Sequence, residues 1–374
     1  MPPQTQLYAS LFALAFVTAL AVTAVMIRLA PRLGLVDHPA GEKFHHVATP
    51  LGGGIALYLA CATVLLFPAM RTTHTLLVVA AGALLAAVGL WDDFRGVPAT
   101  VKFAILVTLT VALSRHGVAA TTTRIGVIDL VITVLWVTGV SSAFNAIDNM
   151  DGLSTGVASI AALAFFIVAV QTQQWGFGGL CLALVGANLG FLVFNFPPAR
   201  IFMGDAGSFF LGFTLACLGV LGDWSSNPVI AAVIPILVLG LPIFDLSFTV
   251  VVRHFTGVTR TFAQALNHCG TDHVSHRLVR LGLGTRGTLA VLYLIAASFA
   301  ISAVSLENAV SAVGVLHLIQ ALVVAGALAF LVAAPGAASA APPTAGPAAA
   351  RTAWLPLGMV AAVLTVLLVL RLAL

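Results

Sequence analysis

The sequence predicts an all-α polytopic membrane protein of about ten to twelve transmembrane helices, with its active site built from loops on one side. Three observations predict this. Of 374 residues, 60% are hydrophobic and only 7% charged, with mean hydropathy +1.11. A water-soluble domain carries far more charge than that. Apolar runs of about 20 residues recur along the chain, the length a helix needs to cross a bilayer while satisfying its own backbone. The few charged residues crowd into the intervals between alternate runs. A charge at the bilayer centre costs about 2.5–3.5 kcal/mol, so each one retained here is informative.

The apolar runs fall at 7–29, 51–70, 74–91, 101–114, 125–144, 154–171, 175–195, 207–223, 228–252, 287–305, 309–333 and 354–373. The fourth is short, and the last follows an Ala/Pro/Gly tract with the composition of a flexible linker. The chain thus divides into a transmembrane domain over 1–333, a linker over 334–352 and an additional C-terminal helix over 353–374. No positive charge precedes the first run, which is too long for a signal peptide's apolar core. It reads as a retained helix with its N-terminus outside.

Charge tests that orientation. With the N-terminus outside, 12 of the 16 Lys and Arg residues fall on inner loops, and only Arg71, Arg115, Arg124 and Arg371 fall outside. The positive-inside rule asks for this asymmetry. It also accounts for the net charge of +4 without nucleic acid as a partner. The acids sort the same way. Asp37, Glu42, Asp92, Asp93, Asp148, Asp151, Asp205 and Asp272 lie on the inner face, with Asp245 near it. The four cysteines, Cys61, Cys181, Cys217 and Cys269, have neither metal-site nor disulfide spacing and read as inert thiols.

Five inner stretches carry the chemistry. The first holds Asp37, Lys43, His45 and His46 before Pro50-Leu51-Gly52-Gly53-Gly54. Cations beside a glycine-rich helix start suit a phosphate group, although an ordinary positively charged loop has the same composition. The second runs Trp91-Asp92-Asp93-Phe94-Arg95-Gly96, with Lys102 opening the next run. Adjacent carboxylates repel unless a cation or proton intervenes, and a helix C-terminus disfavours them further. In the third, Asn145, Asp148 and Asp151 stand at steps of three, which on a continuous helix places them within an arc of roughly 120°. A turn explains the residue types there but not the repeated step.

The fourth stretch is Asn195-Phe196-Pro197-Pro198-Ala199-Arg200-Ile201-Phe202-Met203-Gly204-Asp205-Ala206-Gly207-Ser208. Asp205 or Ser208 could cap the following helix. An acid at a small-residue helix start also suits a metal–phosphate complex, with Phe202 available to stack on a base. The fifth contains Asp272-His273-Val274-Ser275-His276-Arg277. Structural zinc needs four ligands and no second pair stands out, so His and Arg donating to a diphosphate fit better. Asp245 is open between pairing with Arg253 and a functional role. His74, His116 and His317 lie toward the outer side or in apolar runs and are read as structural.

Taken in order, these stretches resemble the polyprenyl-phosphate N-acetylhexosamine-1-phosphate transferase family. The resemblance runs from about Gly34 to Leu294. It rests on His45 to Pro50 with Gly53-Gly54, on Asp92-Asp93 with Lys102, on Asn145 with DNMDGL, on NFPPARIFMGDAGS and on DHVSHRL. It implies transfer of a sugar 1-phosphate, GlcNAc-1-phosphate above all, from a UDP-N-acetylhexosamine to a membrane polyprenyl phosphate. UMP would be released, with Mg²⁺ as cofactor and Mn²⁺ as an alternative ion. Carried over by position, Asn145 and Asp205 are metal ligands. Asp92 deprotonates the lipid phosphate or secures its approach, with Asp93 beside it. Asp148 and Asp151 belong to the nucleotide-sugar and metal neighbourhood. Phe202 stacks on uracil, and His273, His276 and Arg277 contact phosphate, as Lys43, His45, His46 and Lys102 suit an anionic substrate. A homodimer is implied by resemblance alone.

The sequence departs from the family in places. Ser142 stands where many members have Asn, and Asn149 where Gly is frequent. DHVSHRL differs from the three consecutive histidines of lipid I translocases, which argues against a muramyl-pentapeptide donor. Direct attack on phosphorus and a two-step route through an aspartyl phosphate both stay open, and direct attack is favoured. The rival class, a cation-coupled transporter, requires acids near the midplane and related halves, neither of which is seen.

Overall fold

In the computed structural model, residues 3–38, 47–259, 264, 270, 272–307 and 309–333 are described. Helix α1 (Pro3–Leu29) is continued by a 3₁₀ turn, Ala30–Leu33, that closes on Gly34. Two short strands, β1 (Val36–Asp37) and β2 (Thr49–Pro50), pair antiparallel with Val36 opposite Pro50. Helix α2 (Gly53–Ala62) runs into 3₁₀ turns at Thr63–Leu66 and Pro68–Met70. Helix α3 (Thr73–Arg95) starts at Thr72, whose hydroxyl accepts from Thr75 N, and stops at Gly96, where φ is 70°. Then come α4 (Ala99–Ser114), α5 (Gly126–Ile147), α6 (Leu153–Gln171), α7 (Trp175–Asn195) and α8 (Gly204–Leu221).

Helices α9 (Pro228–Val238) and α10 (Gly240–Phe255) follow, then a short α11 (Val274–Leu278). A π-turn, Val279–Leu283, joins α11 to α12 (Gly284–Val304), and α13 (Ser311–Ala333) ends the described chain.

Eight helices among the described residues are long and apolar enough to cross a membrane, counting Val274–Val304 as one span. Every apolar run read from the sequence up to residue 333 falls on helix. Three behave differently from a simple span. Helix α4, at 16 residues, reaches only about 24 Å, and α2 with its 3₁₀ extension is shorter still. The run at 228–252 is not one straight helix but bends by 71° between α9 and α10. Pro235 removes an intrahelical donor there, and Leu239 leaves the helical region ahead of Gly240. The proposed linker and twelfth run lie outside the described residues.

The bundle is built round α6, α7 and α8, which are largely buried, with α13 on the rim. Its main pairs are α1 with α7, α6 with α7, α3 with α8 and α5 with α8. Small residues permit these approaches. A Cβ on Gly186 or Gly190 would lie 2.7 Å from Phe12 O or 2.5 Å from Phe16 O of α1. This is the small-xxx-small packing by which membrane helices gain contact without a hydrophobic drive.

Hydrogen bonds sort the connections into two ends. At one end Tyr8 donates to Trp175 O at 2.7 Å, Gln174 and Asp223 pair, and Asn227 meets Ser311. At the other, the connections α1–α2, α3–α4, α5–α6, α7–α8 and α10–α11 come together. The described parts of all five polar stretches belong to that second end.

Candidate active site

Asp205 stands at the centre. It is the second residue of α8, and Gly204 before it has φ +68°, a conformation that a side chain disfavours. A Cβ at Gly204 would also sit 2.4 Å from Asp93 Oδ2. Asp93, from the last turn of α3, accepts from Asp205 N at 2.8 Å and Ala206 N at 3.3 Å. Its carboxylate thus meets the partial positive charge of the α8 N-terminus. Glycines bring the neighbours in: a Cβ on Gly54 would lie 2.3 Å from Gly207 N, and one on Gly89 2.5 Å from the Ala206 backbone.

The Asp205 carboxylate receives two donors. Asn145 Nδ2, from the last turn of α5, donates to Oδ1 at 2.9 Å and to Ser208 Oγ at 2.9 Å. Lys102 Nζ, from the first turn of α4, lies 2.6 Å from Oδ2. The same ammonium contacts Asp92 Oδ2, while Asp92 Oδ1 accepts from Val97 N. Four elements, α3, α4, α5 and α8, therefore place Asp92, Lys102, Asn145 and Asp205 within one hydrogen-bonded group.

The helical arc expected for Asn145, Asp148 and Asp151 does not form. Helix α5 ends at Ile147, and Asp148 caps it with ψ 43°, outside the helical region. Asn149 Nδ2 folds back to Ala146 O at 2.8 Å, and the left-handed Gly152 restarts the chain as α6. Asp151 then turns away and accepts from Ala199 N at 2.8 Å, tying the third stretch to the fourth. Asp148 stays near the centre. Desolvation, followed by the nearby carboxylates of Asp205, Asp93 and Asp151, pushes its carboxyl well above the usual carboxylate range.

The fourth stretch is fixed by backbone. Phe202 N donates to Pro50 O at 2.9 Å, while Gly53 N and Gly54 N donate to Phe202 O and Met203 O at 3.0 and 2.9 Å. Phe202 is thus held beside the glycine-rich start of α2, with its side chain partly exposed. A cavity of about 400 Å³ is lined by Met150, Asp151, Pro197, Pro198, Thr285 and Arg286. Arg286, at the start of α12, donates to Pro197 O at 3.1 Å. Lys43, His45 and His46 lie outside the described residues.

The fifth stretch makes a second polar group, joined to the third by Ser275 Oγ donating to Asn149 Oδ1 at 2.6 Å. Asp245 is buried on α10. Its Oδ2 lies 2.7 Å from His273 Nδ1, and its Oδ1 accepts from Val274 N at 2.8 Å. Its partner is therefore His273 and not Arg253, because the α10 register gives Arg253 to Asp272. That pair is two-pronged, at 2.7 and 2.6 Å. Desolvation raises the Asp272 carboxyl, but the Arg253 hydrogen bonds and charge outweigh it and hold the group below the usual range. Arg277 donates to Asp272 O and Val332 O and lies over the Phe248 ring. His276 is buried in the same group.

Two further residues bind the site together: Asn195, which opened the fourth stretch without a role, and Tyr293, which the sequence reading did not single out. Asn195, the last residue of α7, is buried and accepts from Gly152 N and Thr155 Oγ1 while donating to Ile201 O. Tyr293 donates to Gly152 O at 2.5 Å. Their one signal was polarity at the end of an apolar run, or within one.

The sequence has parallels among known proteins. The model of glycosyl transferase family 4 matches residues 75–223, which hold the α3-to-α8 core of the site. The chain is 33% identical over 308 residues to a probable undecaprenyl-phosphate N-acetylglucosaminyl 1-phosphate transferase of Bacillus subtilis, covering 80% of this chain and 84% of that protein. It is 32% identical over 306 residues to the decaprenyl-phosphate N-acetylglucosaminephosphotransferase of Mycolicibacterium smegmatis, covering 71% and 74%. A phospho-N-acetylmuramoyl-pentapeptide-transferase of Bacillus cytotoxicus matches at 33% over 237 residues, covering 55% and 72%. The chain belongs to the polyprenyl-phosphate N-acetylhexosamine-1-phosphate transferases of glycosyl transferase family 4.

Proposed function

We propose that this protein transfers GlcNAc-1-phosphate from UDP-GlcNAc to a polyprenyl phosphate at the cytoplasmic membrane face, releasing UMP and beginning a cell-envelope glycan. The observation that carries this reading is the convergence of Asp92, Lys102, Asn145 and Asp205 from four helices onto one end of the bundle. An amphiphilic acceptor and a water-borne donor can meet only at such an end. Acids gathered at that end give a transporter no support. The longer match to GlcNAc-type transferases than to the pentapeptide transferase supports the donor assignment.

The residues fit a magnesium ion. Asp205, Asp92, the Asn145 amide and the Ser208 hydroxyl are hard oxygen donors of the kind Mg²⁺ takes, with further positions left to water and phosphate. Asp205 and Asn145 would hold it, and it would neutralise charge at the diphosphate.

The chain's own groups do the rest. A phosphate monoester has its second pKa near about 6, so the acceptor arrives largely as a dianion and needs no strong base. An acceptor oxygen bonds to the β-phosphorus as the bond to the bridging oxygen breaks, and UMP leaves with that oxygen. Asp92, with both oxygens engaged, orients Lys102, which screens the approach of the two anions. Arg286 and Asp151 side the 400 Å³ cavity, which suits the nucleotide end of the donor.

Asp92→Asn and Asp205→Asn test the assignment. Each is expected to lower UMP release by at least about a hundredfold while the purified protein keeps a cooperative thermal transition. Near-normal turnover in either variant removes that residue from the mechanism.

A further inference from the structure

We propose that Lys102 is a displaceable internal cation that competes with the divalent metal for Asp205 and must leave that carboxylate when the metal binds. The inference rests on the metal-dependent reading above and adds an exclusion that the reading does not require.

The geometry points to it. Both oxygens of Asp205 are already taken: Oδ1 by Asn145 Nδ2 at 2.9 Å and Oδ2 by Lys102 Nζ at 2.6 Å. A magnesium ion sits about 2.0–2.1 Å from its oxygen ligands. With Lys102 in place, an ion on Oδ2 would lie within about 5 Å of a second cation, in a site where side chains are largely shielded from water. Two like charges at that spacing repel, and both would draw on the same carboxylate oxygen, so each weakens the other's hold on Asp205.

The structure also supplies a place for Lys102 to go. Its Nζ already lies 5.2 Å from the centroid of the Phe209 ring, one helical turn along α8 from Asp205. A cation over an aromatic face is held more weakly than one between two carboxylates, so the ring offers a reversible resting place. The flexible four-carbon stem of lysine makes the move without shifting α4. An acceptor phosphate arriving from the membrane would draw the ammonium further. By linkage, whatever draws Lys102 from Asp205 strengthens metal binding, and the metal strengthens that ligand's binding by the same factor. The site thereby collects its full positive charge only when an anion is present to use it.

Binding of Mn²⁺ alone, followed by electron paramagnetic resonance of the free ion, tests the exclusion without turnover. Lys102→Met is expected to bind Mn²⁺ at least about fivefold more tightly than the natural chain. Arg95→Met, which removes an exposed cation from the last turn of α3, should change the constant by less than about twofold and so separates occupancy from a general field effect. The natural chain gives a second readout independent of any variant's folding. It contains only two lysines, Lys43 and Lys102. Saturating Mn²⁺ should raise amine-reagent labelling of Lys102 relative to Lys43, read by peptide mass spectrometry.

Equal or weaker Mn²⁺ binding by Lys102→Met overturns the proposal, as does unchanged labelling of Lys102. Either result beside normal Mg²⁺-dependent UMP release leaves the transferase reading intact. Absence of Mn²⁺ binding to both chains removes the proposal and the metal reading together.

Discussion

Asp148 shows how a single residue of this site is set by its neighbours. Desolvation and three nearby carboxylates raise its affinity for a proton. An acid with a raised native pKa binds more protons folded than unfolded, so its contribution to stability falls as pH rises from about 4 through the raised value. With metal removed by a chelator, thermal stability should therefore decline as pH increases. Asp148→Asn should flatten that decline and raise the melting temperature at neutral pH while lowering activity. An identical pH slope in the variant would contradict this account of Asp148. That Asp92, Lys102, Asn145 and Asp205 would gather on one side was legible in the sequence, because charge and amide beside apolar runs are expensive and need a purpose. The work of Asp93 and Asp151 was not. Each accepts from backbone amides of a distant stretch, and no side-chain pattern records where a backbone N–H points.

At the scale of elements, the first turn of α8 is the part on which the site depends. Gly89 of α3 and Gly54 of α2 let two helices approach the Ala206–Gly207 backbone, and Gly204 turns the chain over Asp93. Gly89→Ala would place a methyl 2.5 Å from the Ala206 backbone. Overpacking of this kind costs about 1–3 kcal/mol, and a displaced Asp205 should cost about tenfold or more in turnover. Thermal unfolding in detergent and UMP release would read the two effects; a variant normal in both would show that the α3–α8 contact is slack. The apolar runs announced their helices by length alone. The break between α9 and α10 was less visible, since Pro235 and Gly240 are tolerated in straight membrane helices when neighbours re-satisfy the backbone. The end of α5 at Ile147 was likewise hidden, because a step of three in sequence looks the same whether or not the helix continues.

The whole molecule is a bundle whose five polar connections lie at one end, opposite the first helix's start. If that end is cytoplasmic, as the distribution of Arg and Lys proposes, the far-end loops face outward. In a background lacking the natural cysteines, an impermeant thiol reagent should label Thr122→Cys in intact cells and Arg95→Cys only after permeabilisation; the reverse pattern would invert the molecule. The convergence of the polar stretches was foreseen from their shared side. Their pairing was not, since which loop meets which is decided by the packing of α8 between α3 and α5.

The central claim is that this end of the bundle joins a lipid phosphate to a sugar phosphate. It is tested most directly by UMP release from purified protein given polyprenyl phosphate, UDP-GlcNAc and Mg²⁺, with each omitted in turn. The account predicts turnover only when all three are present. Folded protein that releases no UMP with any UDP-N-acetylhexosamine, or that releases it without the lipid phosphate, would contradict it.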